Sequence, residues 1–288
     1  MADVKTVGVI GGGQMGGGIA QVAAVAGMDA IVYDMHAASL EKAKALHTKL
    51  LARAVEKGKM EQADADAAAG RITYTESFDA LSASDWIVEA VVENVDVKVD
   101  LFGKLATMFA DRPDVVLATN TSSISITTIA AAAGDAANRV VGMHFFNPVP
   151  VMKLVEVIKG LQTDQDVVDR TIALSEAMGK TPLIANDRPG FVSNRILMPM
   201  INEAFYTWME GVAEPEAIDG VMKLGMAHPM GPFRLADFIG LDTCAHIMNV
   251  LADGLHDEKY RPCPLLEQLI AAGRLGNKTA HGVYDYSG

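Results

Sequence analysis

Short apolar runs alternate with longer amphipathic stretches through the first two thirds of the chain. Apolar runs bounded by polar or turn residues predict strands, here at residues 4–10, 30–34, 71–75, 86–91, 115–120, 139–145 and 153–158. Helical periodicity fills many of the gaps, at residues 15–26, 37–57, 61–69 and 97–109. Because strands that alternate with helices are typical of a doubly wound, mostly parallel sheet, the sequence predicts an α/β fold here.

The pattern changes after residues 187–190, where strand signals nearly vanish until a short one at residues 282–286. Helical periodicity dominates instead, at residues 191–210, 215–224, 235–251 and 265–272. We therefore predict an α/β domain over residues 1–188, with a helical insertion after its second strand, and an all-α domain over residues 189–288. Pro199 lies inside the first of these long helices, where it predicts a kink or a local break.

The glycines after the first predicted strand have the arrangement of a dinucleotide site. Gly11, Gly13 and Gly16 are spaced as G-x-G-x-x-G, with Gln14 and Met15 in the second gap. The first glycine permits a tight turn, the second leaves room for a pyrophosphate, and the third lets the next helix pack closely on the sheet. The N–H groups at the start of that helix favour the phosphates. Strand, glycines and helix together predict a Rossmann-type dinucleotide-binding domain.

Asp34 ends the second predicted strand, where an acid accepts hydrogen bonds from the adenosine ribose hydroxyls. A carboxylate at this position also repels the 2′-phosphate of NADP. Met35 and His36 follow it and offer no fixed cation for such a phosphate. The sequence therefore predicts NAD as the cofactor.

The chain has 288 residues and a formal net charge of −12. Nucleic acids and anionic membranes bind basic surfaces, so this charge argues against both as partners. The cysteines Cys244 and Cys263 lack metal-ligand spacing, and we expect two reduced thiols, no zinc site and no disulfide framework. The start of the chain, Met-Ala-Asp-Val-Lys, runs directly into the first predicted strand. This predicts a cytoplasmic protein without a signal peptide or transit segment.

Candidate chemistry lies at the carboxyl ends of the predicted strands, where open α/β sheets bind their ligands. His144 lies near the end of the sixth strand among aromatic residues, a setting in which a lone histidine is more often a core residue than a catalyst. Glu156 lies in the next strand between aliphatic residues, and a carboxylate buried there needs a partner. If the two strands are adjacent, Glu156 orients one ring nitrogen of His144 and leaves the other for substrate, as in a catalytic triad.

Two further polar segments are candidates for the site. Residues 120–123 (Asn-Thr-Ser-Ser) follow the fifth strand, and by themselves they favour a capped turn before a helix over a ligand site. Asn194 lies one turn into the first helix of the second domain. An asparagine inside a helix costs helix propensity, which suggests a polar partner.

Several phrases of the sequence resemble the L-3-hydroxyacyl-CoA dehydrogenases, and most closely the bacterial 3-hydroxybutyryl-CoA dehydrogenases. The phrases are Asn120-Thr121-Ser122-Ser123, His144-Phe145-Phe146-Asn147-Pro148, and residues 152–158, 189–195 and 228–232. The resemblance extends from the glycine turn to the tail of the chain, with no large unmatched block, and the motifs are jointly specific.

The resemblance implies roles for individual residues. His144 becomes the catalytic base, Glu156 its orienting partner, and Ser123 and Asn194 the groups that hold the C3 oxygen and the thioester carbonyl of the substrate. The residues implied at the NAD site, besides Asp34 and the glycine turn with Gln14 and Met15, are Glu93, Lys98, Asn120, Ser123, Asn147 and Lys278. Arg53 and Lys57 fall where the family binds the CoA phosphates, although they also fit a solvated helix face.

The implied reaction is the NAD-dependent oxidation of an (S)-3-hydroxyacyl-CoA, such as 3-hydroxybutyryl-CoA, by a homodimer formed through the helical domain. Two alternatives stay open. One is a dehydrogenase of a free hydroxy acid or sugar acid, such as L-gulonate, with the same architecture. The other is an NADH-binding sensor without catalysis, against which the intact His144 and Glu156 argue.

Overall fold

A computed structural model of the protein describes residues 4–287. Its backbone contacts divide the chain into two compact units, the first ending at Asp187 and the second beginning at Arg188. Each unit has its own hydrophobic core. Residues 1–3, which precede the first predicted strand, and Gly288 lie outside the described residues.

The first unit is built on a sheet of eight strands. The strands are β1 (Thr6–Ile10), β2 (Asp29–Tyr33), β3 (Ile72–Thr75), β4 (Trp86–Glu89), β5 (Val116–Thr119), β6 (Val140–Phe145), β7 (Leu154–Lys159) and β8 (Thr181–Asn186). Their order in the sheet is β3-β2-β1-β4-β5-β6-β7-β8. Strands β1 to β6 are parallel, β7 is antiparallel to β6, and β8 is parallel to β7. This is the doubly wound, mostly parallel sheet that the sequence predicts.

Helices connect most of the consecutive strands of this sheet. They are α1 (Gln14–Val25), α2 (Ala37–Glu56), α3 (Gln62–Gly70), α4 (Val95–Met108), α5 (Ile126–Ala132) and α6 (Gln165–Ala177). Fully buried Val7, Val9 and Val88 of the central strands pack in one core with Ile19 of α1. The sheet therefore positions the start of α1 directly after the end of β1, where the glycine turn lies.

The seven predicted strands are all present, with ends displaced by one or two residues, but β8 and α6 are absent from the prediction. Strand β8 lies at the edge of the sheet, and within it Leu183 and Ile184 are both more than half exposed. Its second residue is Pro182. Proline has no N–H to donate, and an edge strand tolerates this because its outer side pairs with no other strand. An edge strand with this exposure has no hydrophobic alternation to reveal it.

The second unit is helical. Its helices are α7 (Ser193–Met209), α8 (Pro215–Gly225), α9 (Pro232–Ile239), α10 (Leu241–Leu255) and α11 (Pro264–Ala271). An aromatic contact lies in its core, where the rings of Phe205 and Phe233 meet edge to face with centroids 5.0 Å apart. The helices α7 and α9 that carry these rings are packed together by this contact.

Three details of the second unit differ from the sequence prediction. The single helix predicted at residues 235–251 is two helices, α9 and α10, bent by 95° at Gly240, whose φ of +106° favours glycine. At Pro199, where the sequence predicts a kink or a local break, helix α7 continues without a break. Burial of Met198 and Ile201 on either side offsets the cost of a helical proline. In the tail, no strand forms over residues 282–286, and the one isolated bridge there pairs Asp285 with His281.

Among the residues described, no single helix has both the length and the apolar character needed to cross a membrane. The bent pair α9 and α10 meets those criteria by length and composition when its two helices are taken together.

A buried histidine connects the glycine-rich helix α1 to α2 and β3. His47 of α2 is 2% exposed, with Nε2 2.7 Å from the carbonyl oxygen of Gly17 and Nδ1 2.6 Å from the hydroxyl of Tyr74. A carbonyl only accepts hydrogen bonds, so Nε2 donates and Nδ1 accepts from Tyr74. Burial lowers the pKa of His47, and the bond to Gly17 opposes this shift more weakly.

The lowered pKa of His47 predicts a specific pH dependence of stability. The neutral ring stabilises the fold above the pKa of the unfolded chain, and this contribution is lost as the pH falls through the folded value. We expect His47→Gln to destabilise the protein by about 1–3 kcal/mol near neutral pH, and the difference from the native protein to shrink on acidification. Urea unfolding at several pH values measures this, and a difference that stays constant contradicts it.

Candidate active site

The glycine turn between β1 and α1 has the geometry of a phosphate-binding site. Gly11 has φ +107°, and a Cβ there would lie 2.6 Å from the carbonyl oxygen of Ala90. A Cβ on Gly16 would lie 1.9 Å from the carbonyl oxygen of Gly11, so both positions exclude a side chain. A Cβ on Gly13 would meet no atom within 4 Å. Gly13 thus leaves open space at the amino end of α1, and the amino ends of helices favour phosphate groups.

Asp34 is held in place at the end of β2. Its Oδ2 accepts from the N–H of Gly12 at 2.8 Å, and its Oδ1 accepts from the N–H of His36 at 2.9 Å. On the other side of the turn, Nε2 of Gln14 donates to Oδ1 of Asn147 at 2.8 Å. The turn, the acid and Asn147 therefore surround one end of α1, and together they fit a dinucleotide.

His144 and Glu156 lie opposite each other on the antiparallel strands β6 and β7. Nδ1 of His144 is 2.7 Å from Oε2 of Glu156, and the two residues are 7% and 4% exposed. The ring of Phe146 lies beside the imidazole, with centroids 4.6 Å apart. Because a carboxylate only accepts, Nδ1 of the neutral ring carries the hydrogen and Nε2 carries the lone pair. The pair has the arrangement of a base and its orienting acid.

A second carboxylate organises the turn after β5. Glu93 Oε1 accepts from the hydroxyl of Thr121 at 2.6 Å and from the hydroxyl of Ser123 at 2.9 Å. It also accepts the backbone N–H groups of Ser122 and Ser123, at 2.9 and 3.0 Å. Burial alone would raise the pKa of Glu93, but the Lys98 ammonium and these hydrogen bonds hold the pKa below its usual value. Glu93 therefore stays ionised and fixes the Ser123 hydroxyl.

Lys98 lies inside the protein, between two carboxylates. It is 1% exposed, and its ammonium is 2.5 Å from Glu89 and 3.4 Å from Glu93. Glu89 is fully buried and also accepts the Thr119 hydroxyl at 2.6 Å. The sequence reasoning missed Glu89, although it ends the apolar strand Trp86–Glu89 and so carries the same signal that identified Glu156.

The remaining predicted residues are distributed over both units. In the first unit, Asn120 Oδ1 accepts the N–H of Phe145 at 2.9 Å and so ties β5 to β6, while Arg53 and Lys57 are exposed at the end of α2. In the second unit, Asn194 is buried near the start of α7. Lys278, also in that unit, donates to Oδ2 of Asp242 at 2.6 Å.

The chain matches known proteins over its whole length. The NAD binding domain of 3-hydroxyacyl-CoA dehydrogenase matches residues 6–188, and the C-terminal domain of the same family matches residues 190–286. A probable 3-hydroxybutyryl-CoA dehydrogenase of Deinococcus radiodurans is 55% identical, over 97% of this chain and 99% of its own length. The chain belongs to the 3-hydroxyacyl-CoA dehydrogenase family.

Further relatives agree in sequence and in structure. The 3-hydroxybutyryl-CoA dehydrogenase of Bradyrhizobium diazoefficiens is 49% identical, over 100% of this chain and 97% of its own. The crystal structure of (S)-3-hydroxybutyryl-CoA dehydrogenase PaaH1 from Ralstonia eutropha superimposes with a TM-score of 0.93 at 47% identity, covering 99% of this chain and 100% of that one. The predicted family and fold are confirmed, and this dehydrogenase is an NAD-dependent oxidoreductase.

The contact between Glu156 and His144 predicts the effect of Glu156→Gln. The amide keeps the size of the side chain, but it removes the charge and no longer dictates which ring nitrogen carries the hydrogen. We expect kcat to fall nearly as far as on replacement of His144, by roughly 10²- to 10⁴-fold. Steady-state kinetics beside the exposed control Glu176→Gln tests this. Activity within a few-fold of the native enzyme excludes an orienting role for Glu156.

Proposed function

We propose that the protein catalyses the reversible NAD-dependent oxidation of (S)-3-hydroxybutyryl-CoA to acetoacetyl-CoA, with His144 as the acid-base residue. The observation that carries the residue assignment is the hydrogen bond between His144 and Glu156 across β6 and β7, at 2.7 Å. The substrate is proposed from the relatives, since those of Bradyrhizobium diazoefficiens and Ralstonia eutropha are named for it.

In the proposed reaction His144 moves one proton. Nε2 of His144 takes the proton of the C3 hydroxyl during oxidation, and the imidazolium returns it to the C3 oxygen during reduction. Glu156 holds the ring with Nδ1 protonated, so that Nε2 is the basic nitrogen in each turnover. Bound NAD supplies the hydride acceptor. General acid-base help of this kind contributes about 10²- to 10⁴-fold to the rate.

Ser123 and Asn194 are proposed to hold the C3 oxygen and the thioester carbonyl of the substrate. The Ser123 hydroxyl donates to Glu93 at 2.9 Å in the structure. Glu93 keeps its bonds from Thr121 and from backbone N–H groups when the Ser123 hydroxyl turns to the substrate. This exchange therefore leaves no unsatisfied carboxylate behind.

The residues that would hold NAD divide by the part of the cofactor they reach. The glycine turn would bind the pyrophosphate and Asp34 the adenosine ribose. Those proposed for the rest of the site are Gln14, Met15, Glu93, Lys98, Asn120, Ser123, Asn147 and Lys278. Because Lys98 is buried against carboxylates, its contribution passes through Glu93. Arg53 and Lys57 are proposed for the CoA phosphates, since both are exposed and cationic.

The proposed activity predicts the outcome of one assay. With acetoacetyl-CoA as substrate, we expect fast oxidation of NADH and much slower oxidation of NADPH, because the carboxylate of Asp34 repels a 2′-phosphate. His144→Ala should lower kcat by roughly 10²- to 10⁴-fold while NADH still binds. The absorbance of the reduced cofactor measures the oxidation rates of NADH and NADPH and the kcat of His144→Ala. NADH binding without turnover of the acyl-CoA refutes the proposed substrate. Oxidation of L-gulonate with NAD is the comparison reaction.

We propose further that the first unit is the NAD-binding domain and that the helical unit serves substrate binding and dimerisation. Large apolar side chains are exposed on the helical unit, among them Ile196 at 68%, Val221 at 62% and Leu224 at 90%. Exposed apolar surface of this kind marks interaction sites. A cytoplasmic location, and partners that include neither nucleic acid nor membrane, remain predictions.

The dimer proposal predicts a mass and a variant effect. Sedimentation should give twice the chain mass of 30.6 kDa. Leu224→Glu should shift the equilibrium towards the monomer, because a charge in an apolar interface loses its hydration. The exposed variant Leu161→Glu in the first unit is the control. A native protein that sediments as a monomer at micromolar concentration contradicts the proposal.

A further inference from the structure

Lys180 is a buried lysine of the first unit that the proton transfer does not use. It follows helix α6, where Gly179 has φ +71° and the N–H of Lys180 donates to the carbonyl of Ser175 at 2.9 Å. This is a Schellman ending, which fixes the backbone of the residue after the glycine. The next residue, Thr181, donates to the carbonyl of Lys153 at 2.7 Å and begins β8. Lys180 is therefore anchored on both sides before its side chain is considered.

The ammonium group of Lys180 points at the loop of residues 146–153, which joins β6 to β7. It donates to the carbonyl oxygen of Val149 and, at 2.9 Å, to that of Met152. Lys180 is 8% exposed, and burial lowers its pKa. These two acceptors are neutral carbonyls, which repay the loss of water around an ammonium less well than a carboxylate would. What the contact does provide is position, because its two hydrogen bonds tie the buried ammonium to two points of the loop.

The loop that Lys180 holds also packs on the cofactor helix α1. Asn147 accepts the side-chain amide of Gln14 at 2.8 Å. A Cβ on Gly18 would lie 2.7 Å from the Val149 side chain, which is 2% exposed, so the loop and the helix are in close contact. The loop is thus gripped from two sides, by α1 and by Lys180.

We propose that Lys180 is a positioning residue for cofactor binding, which holds the 146–153 loop against α1 and so places the Asn147 amide beside the glycine turn. The proposal rests on the NAD-binding role proposed for Asn147. A lysine that only stabilised the fold would change the unfolding midpoint and leave the affinity for NADH unaltered.

Lys180→Met tests this, because methionine fills much of the same volume without the charge or the donors. We expect the Kd and KM for NADH to rise by about tenfold to a hundredfold, the size expected for losing hydrogen bonds of a charged group. We expect kcat at saturating NADH and acetoacetyl-CoA to change by less than about threefold, since His144 and Glu156 are untouched. Fluorescence titration with NADH and steady-state kinetics give the two numbers.

The matched control is Met178→Ala, two residues earlier. Met178 is 6% exposed and belongs to the core of the first unit, so its truncation lowers the unfolding midpoint without removing a bond to the loop. Both variants are compared well below their unfolding temperatures. The proposal requires weakened NADH binding in Lys180→Met alone. Unchanged affinity in Lys180→Met, or equal weakening in both variants, overturns it.

A double-mutant cycle with Asn147→Ala identifies the route of the effect. If Lys180 acts by placing Asn147, the double variant binds NADH about as weakly as the weaker single variant, because coupled residues are not additive. Additive losses overturn the route through Asn147. Unchanged NADH affinity in Asn147→Ala also overturns it, while turnover by the native enzyme separately decides the proposed function.

Discussion

The pairing of β6 with β7 is the constraint on which the rest of the site depends. β7 returns antiparallel to β6, and the register of the two strands sets His144 opposite Glu156. A shift of one residue would move the two side chains to opposite faces of the sheet. The fully buried Met143 and Val155 beside them hold the register, since either would leave the core if the strands slipped. Core packing and the contact between His144 and Glu156 are thus a single requirement on the sequence.

A second set of buried charges fixes the neighbouring turn. Glu89, Lys98 and Glu93 form a connected group in which one ammonium serves two carboxylates. A buried ion pair adds little net stability, because desolvation offsets the attraction, but loss of one partner is costly. The group therefore contributes position more than stability. Glu93 accepts hydrogen bonds from the turn that carries Ser123. It thereby fixes the Ser123 hydroxyl relative to β4 and α4.

The parts that sequence predicts well are those whose cause is local. The glycine spacing, the acid at the end of β2 and the apolar strands are each read from a few adjacent residues, and the structure has them where expected. Strand β8 was not predicted, because an exposed edge strand has no alternation of apolar and polar residues. Helix α6 and Lys180, which precede it, were not predicted either. The bend at Gly240 was not predicted, because a single glycine in the sequence does not reveal the sign of its φ. Contacts such as that of Lys180 with the 146–153 loop depend on tertiary placement, which no local pattern contains.

The pairing of His144 with Glu156 is tested most directly by measuring which ring nitrogen of His144 carries the hydrogen in the folded protein. Two-bond proton–nitrogen NMR correlation at mildly alkaline pH distinguishes the two tautomers of a neutral imidazole. We predict that Nδ1 of His144 carries the hydrogen and Nε2 the lone pair, and that Glu156→Gln produces a mixture of the two forms. A native ring protonated at Nε2, or a tautomer unchanged in Glu156→Gln, would contradict the central role of the pair across β6 and β7.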